Sequence, residues 1–375
     1  MKTLAFIFVV LGFSSSALAF EFKDACAKSD DTLIIGGVGD LLIHKYIHMA
    51  AQKQRSHYSY LWQNISEHVR GVDIMYANLE TPLARGVARD LTQRKDPGVY
   101  WDEKEYIYSG YPAFNTHPVL AQNLKAGGFD VVSTANNHAA DRGLIGIDAT
   151  IDALEEAGLP YTGTRRKGSK DSYITIVNKK GWKVAFIACT YGVNGGAKTA
   201  SQVLHCYSQR DLLFSEIAVA KRHADVVVVT PHWGNEDSFQ PTRDQINLGA
   251  QIAEAGADVI IGTHAHRIQP MEKYNTRDGR EVPIYYGTGN FVSSQPGVNK
   301  IGLMAVVGLS KRGNKVWVNG ARYLPLYMTA SYLSVDFLDR LKGHNDSWKT
   351  VNQVMQNRTA LMGSSERLTA RPQCH

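Results

Sequence analysis

The sequence predicts an α/β fold whose functional site gathers loops along one edge of a sheet. Two observations lead there. Short apolar runs rich in Val and Ile alternate with amphipathic helical stretches over most of the chain, and the residues able to carry chemistry fall at the carboxyl ends of those runs. The clearest case is Asp258-Val-Ile-Ile-Gly262, which leads into Thr263-His264-Ala265-His266. On a loop after a buried strand, both imidazoles can turn toward one or two metal ions. Taken alone, the same pair would read as surface histidines beside a turn.

From the amino end, residues 32–40 read as a strand closed by Asp40, and residues 41–51 as a helix. Residues 72–78 form the next strand, which ends at Leu79-Glu80. Between Arg85 and Pro118 no period emerges. A stretch that long, rich in Gly, Pro, Tyr and Trp, predicts a lid or binding wall, with Phe114, Asn115 and His117 against the site, or else a mobile loop. A helix over 119–126 and a strand over 129–134 lead to Asn136-Asn137-His138, and a helix over 144–157 follows, with Gly158 as its cap. Two β runs, 173–177 and 183–190, precede a Gly-rich loop. A helix over 211–223 and a strand over 225–230 then reach His232-Trp233-Gly234-Asn235-Glu236. A helix over 242–255 precedes the His264 motif, and strands near 282–286 and 301–309 bracket Gly289-Asn290-Phe291. Residues 315–323 suggest antiparallel pairing, and a last helix lies near 348–355. No internal repeat or low-complexity block appears. Residues 20–330 read as one domain and 331–375 as an extension packed on it.

The amino terminus carries Lys2, an apolar run over 4–13 and the small residues of 14–19. That is the pattern of a secretory signal cleaved after Ala19, so a periplasmic or secreted product is expected. No later stretch reaches the roughly 18 apolar residues of a membrane helix. Losing residues 1–19 removes Lys2 and no acid, so the formal charge falls from +6 to +5. This mild excess, with no basic stripe interleaved with aromatics, argues against nucleic acid as a partner and is compatible with an anionic one. Four cysteines in an oxidising compartment suggest two disulfides. Of the three pairings, Cys26–Cys374 with Cys189–Cys206 is preferred, because the first two flank the fold and the others flank one loop. Cys189 as a plain buried thiol is the alternative.

Collected from the strand ends, the candidate metal ligands are Asp40, His44, Glu80, Asn137, His232, His264 and His266, with His138 beside them as a catalytic group. Carboxylate, amide and imidazole together suit two divalent ions such as Mn, Fe or Zn, and an all-cysteine structural zinc is excluded. Each residue has an ordinary explanation by itself: Asp40 could cap a helix, Asn137 could sit in a turn, and a lone histidine is commonly a core or surface residue. Six strand ends bearing only metal-competent side chains outweigh those explanations. Asn136, Arg142, Glu236 and Asn115 are candidate substrate contacts, against the reading of Arg142 and Glu236 as ion pairs or caps.

Gly39-Asp40, Asn78-Leu79-Glu80, Asn136-Asn137-His138 with Asp141 and Gly143, His232-Trp233-Gly234 with Glu236, His264-Ala265-His266 and Gly289-Asn290-Phe291 together resemble the motif series of the CapA capsule-synthesis family. That family belongs to the calcineurin-like metallophosphoesterase superfamily and is associated with poly-γ-glutamate. The resemblance covers residues 33–327. It implies a four-layer α/β/β/α metallophosphoesterase-like sandwich with mixed sheets and a two-metal site at one edge. By position, Asp40 and His266 would bind the first metal, and Glu80 would bridge the pair where the superfamily usually has Asp. Asn137, His232 and His264 would bind the second. The superfamily's Asp-x-His opening is here Asp40-Leu41-Leu42, so a histidine for the first metal comes from His44 or is missing.

The chemistry implied is hydrolysis by a metal-activated water, with His138 stabilising charge or protonating the leaving group. The substrate implied is poly-γ-glutamate or another cell-surface polymer, handled in a membrane capsule-synthesis complex. Two other readings stand beside it: a periplasmic phosphoesterase, and a non-catalytic capsule-assembly or polymer-binding protein.

Overall fold

Valine and isoleucine dominate the apolar runs, and branching at Cβ favours extended, pleated backbone. The computed structural model describes residues 20–196, 201–329, 333–356 and 358–374, and the secretory signal expected at 1–19 lies outside the described residues. In chain order the strands are β1 (Asp31–Leu41), β2 (Ile74–Leu79), β3 (Val131–Ser133), β4 (Tyr161–Thr162), β5 (Thr175–Lys179), β6 (Trp182–Thr190), β7 (Val226–His232), β8 (Val259–Ile261), β9 (Met271–Asn275), β10 (Glu281–Tyr285), β11 (Asn290–Val292), β12 (Ile301–Arg312), β13 (Lys315–Met328) and β14 (Val335–Phe337). The α-helices are α1 (Lys45–Lys53), α2 (Ser66–Gly71), α3 (Val119–Gly127), α4 (Gly143–Glu156), α5 (Arg210–His223), α6 (Arg243–Ala255) and α7 (Asn345–Met355).

Two mixed sheets result. The first runs β14-β13-β12-β1-β2-β3-β4, with β11 also on β1, and the second runs β5-β6-β7-β8-β10-β9. In the first, β1 to β4 are parallel while β12, β13 and β14 pair antiparallel. In the second, β6, β7, β8 and β10 are parallel, and the antiparallel strands β5 and β9 form the edges.

The inner faces meet: Leu33, Ile35, Ile74, Tyr76 and Val131 pack on Val184, Phe186, Val226, Val228, Val259 and Ile261. Behind the first sheet, Met75, Ala77, Val132 and Met304 meet Ile47, Val69, Leu120 and Leu124 from α1 to α3. Behind the second, Ala185, Ile187, Val227 and Ile260 meet Leu213 and Ile217 of α5 and Leu248 and Ile252 of α6. This is the expected four-layer α/β/β/α sandwich. Both faces of each sheet are covered, which is why the parallel strands read as continuous apolar runs rather than alternating ones.

β1 is the pivot. It pairs antiparallel with β12 up to Val38, and then parallel with β11, Asp40 facing Asn290. At the changeover sits Gly39, where any Cβ would collide with the carbonyl oxygen of Gly289. Asp40 N then donates to that oxygen at 3.0 Å.

Here the structure corrects a boundary. Residues 41–43 are not helical, because Leu41 pairs with Val292 and Leu42 N donates to Val292 O at 2.8 Å. The helix begins only at Lys45. Strands β9, β11 and β14 and the 3-10 turn Ser59–Ile65 were not expected. Beyond residue 331, β14 extends the first sheet and α7 sends Val351, Val354 and Met355 into the inter-sheet core. Both preferred disulfides are present, Cys26–Cys374 and Cys189–Cys206. Among the described residues no helix is long and apolar enough to cross a membrane.

Candidate metal centre

Parallel strands from both sheets end at one edge, and the chain turns there carry the polar motifs. β1 delivers Asp40, and Glu80 follows β2. Asn136, Asn137 and His138 follow β3, β7 ends on His232, and the loop after β8 holds His264 and His266. That loop is bent hard: His264 and His266 have φ of +95° and +54°, a region few side chains adopt and one that persists only where surrounding structure enforces it. The enforcement is visible. Asp237 N donates to Ala265 O at 2.9 Å, and Trp233 Nε1 donates to Tyr286 O at 2.9 Å.

Two groups of side chains result. Glu80, His232 and His264 place one ligand atom each within 4.8 Å of one another, and so do Asp40, Glu80 and His266. Glu80 is common to both.

The partners around the two groups are unequal. Asp40 Oδ1 accepts from Asn78 Nδ2 at 2.8 Å, while Oδ2 accepts from His264 N at 3.2 Å and lies 3.1 Å from His266 Nδ1. His232 Nδ1 accepts from Asn78 Nδ2 at 3.2 Å and lies 3.0 Å from Thr263 Oγ1. Its Nε2 lies 2.9 Å from Asn137 Oδ1 and 3.5 Å from Glu80 Oε1. Glu80 is fully buried, yet neither of its oxygens has a hydrogen-bond partner, nor does His264 Nδ1.

Burying a carboxylate without donors is costly. Burial, and then the charge of Asp40, pushes Glu80 well above the usual carboxylate range. Burial, then the neighbouring imidazoles, holds His232 well below its ordinary value and His264 down to about 3. His266 goes the other way: burial lowers it, but the hydrogen bond and charge of Asp40 outweigh that and raise it. Divalent cations bind neutral imidazoles and ionised carboxylates. Burial already keeps His232 and His264 neutral, and a bound ion would displace the proton that burial favours on Glu80. The donors present therefore fit the group, and their mixed O and N character suits Mn, Fe or Zn.

His138 stands beside the centre, its Nδ1 2.7 Å from Asp141 Oδ2 and its ring edge-on to Phe114 at 4.7 Å. Phe114 thus walls the site, as expected. His117 does not: its ring sits between Tyr100 and Tyr108.

Four other expected site residues lie elsewhere or do something else. His44 is in neither ligand group; its ring packs against Phe114 at 5.3 Å and its Nδ1 accepts from Ser294 N at 3.4 Å. It occupies the N-cap position of α1, where its backbone carbonyl and not its side chain accepts from the first turn, and its ring lines the site without joining it. Arg142 is fully buried with its guanidinium turned to Val87 O, Ala113 O, Asp141 O, Tyr106 O, Ile107 O and Ser109 Oγ, so no donor is left for a substrate. Asn115, also buried, donates to Ala84 O and Ile107 O at 2.8 Å and accepts from Ala84 N. Asn136 is buried too and donates to Leu79 O at 2.8 Å, holding the turn that presents Glu80. Glu236 alone of the expected substrate contacts is exposed.

The sequence reading passed over Asn78 and Thr263, which orient His232, and Tyr191, whose ring lies 4.4 Å from that of His264. Tyr191 follows β6 directly, so the strand-end rule marks its position. Its residue type does not mark it as a metal ligand, so position is the one signal that could have found it.

A family profile described as Bacterial capsule synthesis protein PGA_cap matches residues 35–295. Over 273 residues the chain is 28% identical to the capsule biosynthesis protein CapA of Bacillus anthracis, a stretch that is 72% of this chain and 61% of that protein. Over 272 residues it is 29% identical to the PGA biosynthesis protein CapA of Bacillus subtilis, 71% of this chain and 65% of that one. The chain thus spans less than two thirds of the length of these relatives. A solved structure, the calcineurin-like phosphoesterase YfkN from Bacillus subtilis, aligns over 88% of this chain and 98% of its own, at 17% identity and a TM-score of 0.46. The profile match begins inside β1, ends beyond β11 and takes in every residue of both ligand groups. The chain belongs to the bacterial capsule synthesis protein PGA_cap family.

Proposed function

We propose that this chain is an exported, metal-dependent hydrolase-like protein of the CapA type, acting on poly-γ-glutamate or another anionic cell-surface polymer. The observation that carries the reading is Glu80, buried, without a donor and shared between two ligand groups. When bound, two divalent ions supply Lewis acidity and lower the pKa of a water molecule toward about 7. The chain's own residues do the rest. Asp40, Glu80, His232, His264 and His266 would hold the ions, with the Asn137 amide oxygen as a further donor. Asp141 orients His138 through Nδ1 and leaves Nε2 to give or take a proton at the reacting group. Phe114, packed against His138 and His44, excludes water from one side. Relatives named for capsule and PGA biosynthesis support the polymer context, and the pattern of residues 1–19 supports export toward a membrane-held synthesis complex.

The test is metal content of the purified protein lacking residues 1–19, coupled to assays with bis(p-nitrophenyl) phosphate and with poly-γ-glutamate. About two ions per chain with shortening of the polymer is the expected result. Turnover of the phosphodiester alone makes the protein a phosphoesterase. One ion or none, with neither substrate cleaved, makes it a non-catalytic polymer-binding protein. Glu80→Ala and His264→Ala should both strip the metal, and unchanged metal content in either would overturn the site.

A further inference from the structure

The three imidazoles of the ligand groups are not held alike. His232 is oriented at both ring nitrogens, by Asn78 and Thr263 at Nδ1 and by Asn137 at Nε2, and His266 is oriented at Nδ1 by Asp40. Metal-ligating histidines almost always use the second ring nitrogen this way, which fixes the tautomer and the ring together. His264 departs from the pattern. Its Nδ1 is buried without a partner, and the bond that ties the residue to Asp40 comes from its backbone N. What touches the His264 imidazole instead is two other rings, His232 at 4.6 Å and Tyr191 at 4.4 Å.

Tyr191 is itself firmly placed. Its backbone N donates to His232 O at 2.9 Å, and its ring lies 17° from parallel with that of His232, 6.4 Å away. Just before it, Thr190 N donates to Leu204 O and Thr190 O accepts from Cys206 N, while the Cys189–Cys206 bridge closes the same two segments. Tyr191 is 40% exposed where His232 and His264 are 0% and 3%, so it is the outermost of the three rings.

Resting on the metal-centre reading above, we propose that Tyr191 is the positioning residue of His264. Its ring, packed on the imidazole, does what a hydrogen bond does for His232 and His266, and it keeps water from the ligand that His264 offers beside Glu80 and His232. The hydroxyl has no part in this. The ion held by Glu80, His232 and His264 therefore depends on Tyr191, and the ion held by Asp40, Glu80 and His266 does not.

The experiment is calorimetric titration of the metal-free protein with manganese, which should show two binding steps in the wild type. Tyr191→Ala should weaken one step by about ten-fold, the lower end of what losing a ligand's supporting partner costs, and leave the other unchanged. Tyr191→Phe, which keeps the ring, should titrate like the wild type. All three proteins should melt alike without metal. Unchanged steps in Tyr191→Ala, equal weakening of both, a Tyr191→Phe as weak as Tyr191→Ala, or a lower melting temperature of metal-free Tyr191→Ala would each overturn the assignment. A wild type that binds no manganese overturns the metal-centre reading and this inference with it.

Discussion

Two buried polar knots lie side by side in this fold, one around Glu80 and one around Arg142, and they are built on opposite principles. Arg142 is taken out of water with six hydrogen bonds to carbonyls and a hydroxyl, the shortest 2.6 Å to Ser109 Oγ. Burial still lowers its pKa to about 10. Together with Asn115 it stitches residues 84–115 to the start of α4, so the long irregular stretch is held by side chains bonding backbone rather than by a repeating pattern. Glu80 is equally buried and has no such partner. Buried polar groups are almost always satisfied. A charged side chain whose partners are all within the chain closes structure; one whose partners are missing marks where something from outside completes it.

The comparison breaks most visibly at Arg142. Arg142→Met keeps the bulk but leaves several buried carbonyls without a donor, and should cost about 3–5 kcal/mol. Metal bound per folded molecule should be unchanged. A melting temperature equal to the wild type's would refute the structural role.

Glu80 should behave in the opposite sense. Removing metal with a chelator should lower wild-type stability by about 2.7 kcal/mol for an ion present at a hundred times its Kd, whereas Glu80→Gln should show no chelator-dependent shift. Without metal, Glu80→Gln should be more stable than the wild type by about 1–3 kcal/mol, since a buried carboxyl that burial and Asp40 hold out of its ionised form gives way to a permanently neutral amide. Denaturation curves of both proteins with and without chelator decide this. A metal-free wild type that is the more stable of the two would mean that Glu80 is satisfied within the chain.

The smallest effect belongs to a side chain between the two cases. His48 is buried with Nδ1 3.0 Å from Tyr58 Oη and Nε2 unpartnered, and burial pulls its pKa down to about 3. In the unfolded chain it titrates near 6.5, so the folded state binds fewer protons. Its contribution is therefore fully present above about pH 6.5 and is lost as pH falls toward 3, reaching about 2 kcal/mol at pH 5. His48→Gln should flatten the acid side of the stability profile between pH 6.5 and 5. An unchanged slope would show that other groups set it.

The same contrast explains what could be read from residues alone. Strand ends carrying Asp40, Glu80, His232, His264 and His266 were legible, because parallel strands bring their carboxyl ends to one edge whatever the details of packing. Arg142 and Asn115 were misread because a sequence shows that a donor stands beside a motif, not that its hydrogen bonds are already spent. His44 was misread with its helix: whether residues 41–43 continue β1 depends on Val292, some 250 positions away. Strands β11 and β14, three residues each, are too short to show a period, and β9 is an edge strand of mostly half-exposed residues. Tyr191 and Asn78 act through other side chains, and nothing in their type announces that.

The Cys26–Cys374 bond joins residues 348 positions apart and so turns almost the whole described chain into a covalent ring. A pull applied to the two ends travels through two sulfur atoms and leaves the sandwich slack. A protease cut anywhere inside the ring yields fragments that stay tethered until a reductant arrives. For a protein proposed to work at the cell surface, the clasp acts as strain relief, isolating the shape of the metal centre from whatever tugs on the ends.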